Sequence, residues 1–402
     1  MRILYLTSMF PYDSNESSGV FVLKRVKLLK EFGIDAAVFA LVIKHNHIIS
    51  KMFRINDIEL KEVSKKYDYI NYLIYRPRIW YYSLKKAKYY SLISKNFANK
   101  IENLIDINNF DLIHAHFIQG AGSTAYILSK NTKIPYIITA HGSDIHTNPY
   151  KDSSIRNLTV EVLNNAYSNI FVSNYLLNEA KKLGYVKNNN VVIYNGYDKD
   201  IFYPIEKSKA RRRLGFLKDK KIVIGYVGNL YYVKGANFLP LIFNELSKVL
   251  KNNVQFLVVG SGKLKKYIEK NCKRFFLDVF FFDRVPQQEL LYVYNSLDVL
   301  IIPSIREGLS CVGIEAQACG TPVVASNAGG LPEVIGINPK YNRLVEIKND
   351  IFVNSFVEKI IEILSLNIDR FEIAKNVSFL EWRNIINQEI RLYEKSLGGK
   401  DK

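Results

Sequence analysis

Residues 303–316 read PSIREGLSCVGIEA and place two acidic residues, Glu307 and Glu315, eight positions apart. The apolar run before this stretch (298–302) predicts a buried strand, and Gly320 after it is typical of a helix end. The stretch is therefore predicted to form a strand, a glycine-containing loop and a helix. Glu307 would lie on the loop at the carboxyl edge of a sheet, and Glu315 about two turns into the helix.

The start of this helix is a predicted anion site. Backbone N–H groups near Gly308, Leu309 and Ser310 would point out of the first turn, where an anion binds well. Carboxylates beside a phosphate would repel it, but they can accept hydrogen bonds from hydroxyl groups on either side of it. A nucleotide diphosphate sugar, with its sugar and its ribose flanking a diphosphate, fits this layout.

The stretch resembles the E-x7-E signature of the retaining glycosyltransferases of family 4, which have the GT-B fold of two facing Rossmann-like domains. The continuations ACGTPVVAS (318–326) and GGLPEV (329–334) resemble the same family. The resemblance implies that Glu315 binds the ribose hydroxyls and that Glu307 binds the hydroxyls of the donor sugar. The alternative is a pair of surface glutamates that flank an ordinary strand-to-helix loop.

Apolar runs alternate with helical patterns along the whole chain, which favours an α/β fold with parallel sheets. A length of 402 residues suggests two domains. The segment NGYDKDIFYP (195–204) resembles the one that joins the domains in the family. We expect an acceptor-side Rossmann-like domain (1–200), a nucleotide-sugar-binding one (201–380) and a final helix (381–402) that crosses back to the first.

The loop GNLYYVKG (228–235) resembles the family's G-R-L-x-x-x-K-G segment, whose two basic residues hold the donor diphosphate. Lys234 matches the lysine, and a cation there would neutralise charge on the leaving group. Asn229 stands where arginine is usual. Asparagine still donates a hydrogen bond, although a neutral donor is weaker than a charged one.

The same resemblance assigns three further positions. Gly19, which follows two serines (17–18), would give the diphosphate and the acceptor close access to the backbone. His141, in the segment HGSD (141–144), would contact the transferred sugar, since a neutral imidazole both donates and accepts. The alternative for His141 is a histidine that is satisfied within a turn. Val285 would contact the nucleotide base through its backbone.

The remaining candidate ligands carry less information. His114 and His116 lie at a predicted strand end, and both structural and acceptor-side roles remain open for them. Asp198 and Asp200 form a D-x-D pair within the joining segment, and no spacing of these residues is that of a metal site. We therefore expect no metal cofactor, with the nucleotide diphosphate sugar as co-substrate.

The charge balance is strongly basic, with 56 Lys and Arg against 38 Asp and Glu, a net charge of +18. The segment RPRIWYYSLKKAKYY (76–90) has no acidic residue, and basic residues beside Trp and Tyr suit an anionic membrane surface. A solvated basic helix face is the alternative. No RNA-binding motif accompanies the charge, so no nucleic-acid partner is expected.

The three cysteines have neither metal spacing nor an even count, and no apolar run is long enough to span a bilayer. These features predict a cytoplasmic protein that attaches peripherally to the inner face of the membrane. The resemblance implies retaining transfer of a sugar to a lipid-linked or oligosaccharide acceptor in cell-surface polysaccharide synthesis. A nucleotide-sugar epimerase or hydrolase of the same fold, or a non-catalytic nucleotide-sugar-binding protein, is the alternative.

Overall fold

The structure is a computed structural model that describes residues 1–11, 19–43, 58–62, 70–75, 86–215, 221–348 and 351–398. The strands, in chain order, are β1 (Arg2–Thr7), β2 (Asp35–Ile43), β3 (Ile58–Glu62), β4 (Ile70–Tyr75), β5 (Leu112–His116), β6 (Tyr136–Ala140), β7 (Ser168–Phe171), β8 (Asn190–Val192), β9 (Ile222–Val227), β10 (Val254–Val259), β11 (Val279–Phe282), β12 (Val299–Ile302), β13 (Val323–Ser326) and β14 (Arg343–Val345). The α-helices are α1 (Val20–Glu31), α2 (Lys86–Leu104), α3 (Ser123–Thr132), α4 (Ser143–His146), α5 (Asn148–Lys151), α6 (Ser153–Asn165), α7 (Asn174–Leu183), α8 (Lys207–Leu214), α9 (Leu239–Val249), α10 (Lys265–Arg274), α11 (Gln287–Ser296), α12 (Cys311–Ala318), α13 (Leu331–Ile335), α14 (Phe352–Leu364), α15 (Arg370–Asn376) and α16 (Trp382–Leu397).

The chain divides into two compact units, residues 1–194 together with 382–402, and residues 195–381. The first unit contains an eight-stranded sheet in the order β3-β4-β2-β1-β5-β6-β7-β8. Every neighbouring pair is parallel except β3 with β4. Strands β5, β6 and β7 are buried along their whole length, which explains their almost continuous apolar runs.

The antiparallel β3–β4 pair at the edge of this sheet was not predicted from the sequence. Strand β3 has the sequence IELKE, and three of its five residues are charged. An edge strand has a neighbour on one side only and tolerates such polar residues, so it lacks the apolar signal of the central strands.

The second unit contains a six-stranded parallel sheet in the order β11-β10-β9-β12-β13-β14. The chain runs outward from β9 through β10 to β11 and then returns to form β12 on the other side of β9. Ligands in open α/β sheets bind at such a reversal of strand order, beside the carboxyl ends of the two strands. The loops that follow β9 and β12 flank this position.

The last helix, α16, belongs to the first unit and packs on α1. Their contact contains a buried ion pair, in which Arg25 Nε lies 2.6 Å from Glu389 Oε1 and both side chains are 0% exposed. The guanidinium also lies 4.8 Å from the centre of the Trp382 ring. Tyr393, one turn after Glu389, continues the polar cluster toward the sheet, because its hydroxyl lies 2.9 Å from that of Tyr5.

Candidate active site

The loops after β9 and β12 are joined by their backbones in the second unit. The amide of Ile305 donates to the carbonyl of Val233 over 3.0 Å. Gly235 makes this approach possible, because a Cβ there would lie 1.7 Å from the Pro303 carbonyl oxygen.

 Gly235 has a φ of +65°, in the left-handed region that residues with a side chain rarely adopt. The glycine therefore holds the neighbouring Lys234 against the loop after β12.

Lys234 and Glu307, which the sequence analysis assigned to the donor site, form an ion pair. The distance from Lys234 Nζ to Glu307 Oε2 is 2.6 Å, and the two side chains are 30% and 13% exposed. Ser304 Oγ lies 3.4 Å from the same carboxylate oxygen, and the Glu307 carbonyl accepts from the amide of Gly330 over 3.0 Å. The glutamate is thus fixed by contacts from three segments, while the pair still reaches solvent.

The helix that follows begins later than predicted. Ser310 caps α12, because its Oγ accepts from the amide of Gly313 over 3.1 Å. Leu309 and Ser310 are buried, and together with Gly308 they form the turn that leads into the helix. Glu315 is therefore the fifth residue of α12, little more than one turn from its start, and the prediction of two turns was wrong because the loop extends to Ser310.

Glu315 is half-buried and accepts a hydrogen bond of 2.7 Å from the hydroxyl of Tyr294 on α11. Burial raises the pKa of Glu315 to about 7, and the hydrogen bond from Tyr294 opposes this rise. Tyr294 was not predicted as a site residue, since no motif distinguishes it from the other tyrosines of the chain. The carboxyl group consequently changes charge close to neutral pH.

Asn229 is exposed, and its backbone carbonyl accepts from the hydroxyl of Tyr226 over 2.8 Å. Tyr226 is buried on β9, where burial and the negative charge of Glu307 raise its pKa, so it remains a protonated donor. Tyr226, which was not predicted as a site residue, thus fixes the beginning of the loop that carries Lys234. Val285 lies half-buried between β11 and α11, at the same carboxyl edge of the sheet.

In the first unit, His141 follows β6 in a turn that Asp144 organises. The Asp144 carboxylate is 1% exposed and accepts from the amides of His141, Gly142 and Ile118 over 3.2, 2.8 and 3.3 Å. Burial raises the pKa of Asp144, and these backbone donors oppose the rise. The aspartate of the HGSD segment therefore positions the backbone of the histidine.

The imidazole of His141 contacts that of His116. Their Nε2 and Nδ1 atoms lie 2.9 Å apart, and the rings are stacked with centroids 5.2 Å apart. Burial lowers the pKa of both histidines, so two neutral rings share one hydrogen bond in which one donates and the other accepts. His141 Nδ1 and His116 Nε2 are buried and have no hydrogen-bond partner among the described residues.

His114 has a different environment, inside the buried polar cluster of the first unit. Its Nδ1 lies 2.7 Å from the Tyr393 hydroxyl, and its Nε2 lies 2.7 Å from Thr139 Oγ1. Both ring nitrogens are thus engaged, which favours the structural one of the two roles left open for His114. Only one ring nitrogen of His116 makes a hydrogen bond among the described residues, so both the structural and the acceptor-side role stay open for His116.

Gly19 is buried immediately before α1, with a φ of +66°. A Cβ at this position would lie 2.3 Å from the Met9 carbonyl oxygen, so the close approach of the two segments requires glycine. The ring of Phe21, two residues later, lies 4.7 Å from that of His141. The two serines before Gly19 and most of the basic segment 76–90 (76–85) lie outside the described residues.

The described part of the chain contains no group of three or more His, Cys, Asp or Glu residues that could hold a metal ion. In the same residues no helix is long and apolar enough to cross a bilayer.

Two family models match the chain, one on each side of the joining segment. The model described as "Glycosyl transferases group 1" matches residues 207–378, which include Lys234, Glu307 and Glu315. The model described as "Glycosyltransferase Family 4" matches residues 52–201, which include His141. The chain is a glycosyltransferase that combines a group 1 domain with a family 4 domain. The predicted transferase class is confirmed, and so is the prediction of a family 4 glycosyltransferase domain.

This glycosyltransferase is similar to curated proteins over most of its length. It is 27% identical to the teichuronic acid biosynthesis glycosyltransferase TuaC of Bacillus subtilis, over 84% of this chain and 83% of TuaC. It is 29% identical to the glycosyltransferase MJ1178 of Methanocaldococcus jannaschii, over 79% of this chain and 84% of that protein.

Solved structures confirm the predicted fold. Sucrose-phosphate synthase from Thermosynechococcus elongatus matches with a TM-score of 0.77 and 21% identity, over 99% of this glycosyltransferase and 100% of that chain. HepE of Anabaena, in complex with UDP and glucose, matches with a TM-score of 0.70 and 18% identity, over 98% and 100% of the two chains. At these identities the likeness establishes the GT-B fold alone.

Proposed function

We propose that this glycosyltransferase transfers a sugar, with retention of configuration, from a nucleotide diphosphate sugar to a lipid-linked or oligosaccharide acceptor in cell-surface polysaccharide synthesis. The observation that carries the proposal is the Lys234–Glu307 ion pair, with 2.6 Å between Nζ and Oε2. The pair lies where the strand order reverses and just before the start of α12. The cation and the helix start suit a diphosphate, and the carboxylate suits the hydroxyl groups of the sugar attached to it.

Each group has a distinct role in this proposal. Lys234 and Asn229 hold the diphosphate, with help from the backbone of Gly308, Leu309 and Ser310. Glu307 accepts from the sugar hydroxyls and Glu315 from those of the ribose, while Val285 contacts the base through its backbone. Because Lys234 and Glu307 contact each other, donor binding replaces their ion pair by a contact of the lysine with the diphosphate and one of the glutamate with sugar hydroxyls.

His141 and Gly19, in the first unit, complete the assignment. His141, which is half-buried, contacts the transferred sugar. His116 holds the ring through Nε2 and so keeps it in one orientation. Gly19 offers its backbone to the phosphates and the acceptor.

The transfer step needs no protein nucleophile in this proposal. The bond between the anomeric carbon and the β-phosphate oxygen breaks, and the acceptor hydroxyl attacks the same face. The leaving phosphate takes the proton of that hydroxyl, so the nucleoside diphosphate departs as the new glycosidic bond forms. Lys234 stabilises the negative charge that develops on the leaving oxygen, which is the step where a fixed cation accelerates transfer most.

The acceptor class rests on the relatives and on charge. TuaC is named for teichuronic acid biosynthesis, and this name supports polysaccharide synthesis as the setting of the reaction. The net charge of +18 favours an acceptor that is presented at an anionic surface. The structures of HepE with UDP and with UDP-glucose support a nucleotide diphosphate sugar as the donor.

A thermal-shift panel of UDP-, GDP-, ADP- and dTDP-sugars tests donor binding. A ligand at about 100 times its Kd should stabilise the protein by about 2.7 kcal/mol. We expect one donor to raise the Tm of the wild type and to have little effect on Lys234→Ala. NMR of the product then tests the reaction: an α-linked product from an α-linked donor supports retention, and an inverted linkage, an epimerised donor or hydrolysis alone would contradict it.

Glu315 should make donor affinity depend on pH. Because the pKa of Glu315 is raised to about 7, its carboxyl group is mostly protonated at pH 6 and mostly ionised at pH 8. Ribose hydroxyls donate more strongly to a carboxylate than to a neutral acid, so affinity should rise about tenfold from pH 6 to 8. Isothermal titration with the intact nucleotide sugar measures this, because its diphosphate diester does not titrate in that range.

The matched variant is Glu315→Gln, which keeps the shape and removes the titration. We expect a donor Kd that is independent of pH and weaker than that of the wild type at pH 8 by about 1.5–3 kcal/mol. A wild-type Kd that stays constant from pH 6 to 8, or the same pH dependence in Glu315→Gln, would remove Glu315 from the ribose site.

A further inference from the structure

Helix α10 of the second unit presents a basic face to solvent. Ile268 and Cys272 lie on its buried side, within the hydrophobic core. Four basic residues occupy the opposite side within an arc of about 100°. They are Lys266, Lys270, Lys273 and Arg274, and all four are exposed. With Tyr267 and Phe276 they form a surface that we call the α10 patch.

The charges of this patch are not neutralised within the described residues. None of the four basic side chains has an ion pair with a described carboxylate, whereas the neighbouring Lys265 is engaged by Asp283 at 2.6 Å and by Glu269 at 3.9 Å. The acidic residues near the start of the helix are thus directed toward Lys265. Two turns of helix therefore carry a local excess of positive charge.

Phe276 adds an exposed aromatic ring to the end of this helix. Its side chain is 95% exposed, and its backbone has a φ of +54°. Glycine or asparagine is the usual residue in that conformation, and the ring contributes almost no burial in return. Tyr267, on the basic face itself, is 44% exposed. An apolar anchor among cations is typical of a membrane-interface surface.

The topology separates the patch from the donor site. Strands β9, β10 and β11 are parallel, so the helices between them run in the opposite direction. The end of α10 and Phe276 consequently lie at the amino edge of the sheet, whereas Lys234 and Glu307 lie beyond its carboxyl edge. A partner at this end of the α10 patch would leave the donor site open.

We propose that the α10 patch binds an anionic lipid surface. The rings of Phe276 and Tyr267 enter the headgroup region, and the four cations meet the lipid phosphates. A lipid surface fits the patch because exposed aromatic rings accompany the cations on one helix, which is the combination that suits the headgroup region. The inference goes beyond the proposed function and does not depend on the donor site.

Co-sedimentation of the full chain with vesicles tests the charged part of the patch. Vesicles of phosphatidylcholine mixed with phosphatidylglycerol are compared with pure phosphatidylcholine at low and at high salt. We expect binding to the anionic vesicles at low salt, and a loss on the order of a hundredfold in partitioning when Lys266, Lys270, Lys273 and Arg274 are all replaced by Gln.

The matched control replaces four other exposed basic residues of the second unit by Gln, namely Lys209, Arg212, Lys348 and Lys375, and has the same net charge. We expect it to bind vesicles nearly as the wild type does. An equal loss in the control would assign binding to overall charge and overturn the proposal. Full binding by the patch variant would also overturn it and assign any attachment to another surface.

Phe276→Asn tests the aromatic anchor, because asparagine accepts the left-handed backbone and removes the ring. We expect Phe276→Asn to bind vesicles more weakly than the wild type at both salt concentrations. Phe371→Asn, at another exposed phenylalanine, should bind as the wild type does. Patch-dependent binding to poly(U) without binding to vesicles would identify a nucleic-acid surface instead. The donor-induced thermal shift of each variant should equal that of the wild type, which separates this result from the test of the donor site.

Discussion

Glu389→Ala is expected to lower the free energy of unfolding of the first unit by about 3–5 kcal/mol, because it leaves the buried Arg25 cation without its carboxylate. Arg25 and Glu389 are both 0% exposed, so water cannot replace the lost partner. The substitution also removes an acceptor of the Tyr393 hydroxyl, whose oxygen lies 3.2 Å from Glu389 Oε2. Denaturant unfolding followed by circular dichroism measures the change, and separate transitions of the two units must be fitted separately.

A second ion pair between the same two helices provides the control. Arg383 and Glu31 lie 2.9 Å apart, but their side chains are 57% and 50% exposed. Glu31→Ala should cost less than about 1 kcal/mol, because solvent screens the pair and solvates whichever charge remains. Equal losses in the two variants would contradict the assignment of the large effect to burial.

A double variant tests the physical cause. Arg25→Met together with Glu389→Leu removes both buried charges and keeps apolar volume between α1 and α16. Much of the stability lost in Glu389→Ala should return, because the penalty comes from an isolated charge rather than from the absence of an attraction. A double variant as unstable as Glu389→Ala would indicate that packing alone dominates at this contact.

The sequence predicted the second unit more completely than the first. Its central strands are buried on both faces, and such runs are apolar enough to be recognised without any tertiary information. The loops that carry Lys234 and Glu307 could be placed from these strands, since parallel strands bring their carboxyl ends to one edge. The antiparallel edge strand β3 gave no such signal.

The side-chain contacts between different helices could not be predicted, because their partners are distant in sequence. Tyr294 and Glu315 are 21 positions apart and lie on different helices. Arg25 and Glu389 are 364 positions apart, and in a chain of net charge +18 an arginine within a helix is expected to be solvated. The return of the last helix to the first domain was predicted from the sequence, but only the folded structure shows that α16 packs on α1 and buries both charges.

Lys234→Ala is expected to lower kcat/KM for sugar transfer by about 10²–10³, the usual cost of removing one preorganised group that stabilises transition-state charge. The lysine is the cation whose ammonium group lies 2.6 Å from Glu307, and the alanine variant leaves that carboxylate unpaired beside the diphosphate position. The donor would therefore lose an attraction and meet an added repulsion. Release of the nucleoside diphosphate, followed with a coupled assay once the panel has identified the donor, measures the rate.

Lys263→Ala is the control, because Lys263 is exposed on the loop after β10 at the same edge of the sheet. A change of general positive charge near the site would affect both variants, whereas a specific role of Lys234 would leave Lys263→Ala close to the wild type. Comparable losses in the two variants would contradict the specific role.

Adding Glu307→Gln to Lys234→Ala separates the two effects of the lysine. Repulsion from the unpaired Glu307 weakens donor binding, so neutralising this carboxylate should restore part of the donor affinity. The rate of transfer should not recover, because the glutamine supplies no positive charge to the leaving phosphate. Recovery of kcat in the double variant would mean that Lys234 acts only by neutralising Glu307, and the proposed stabilisation of the leaving group would then be wrong.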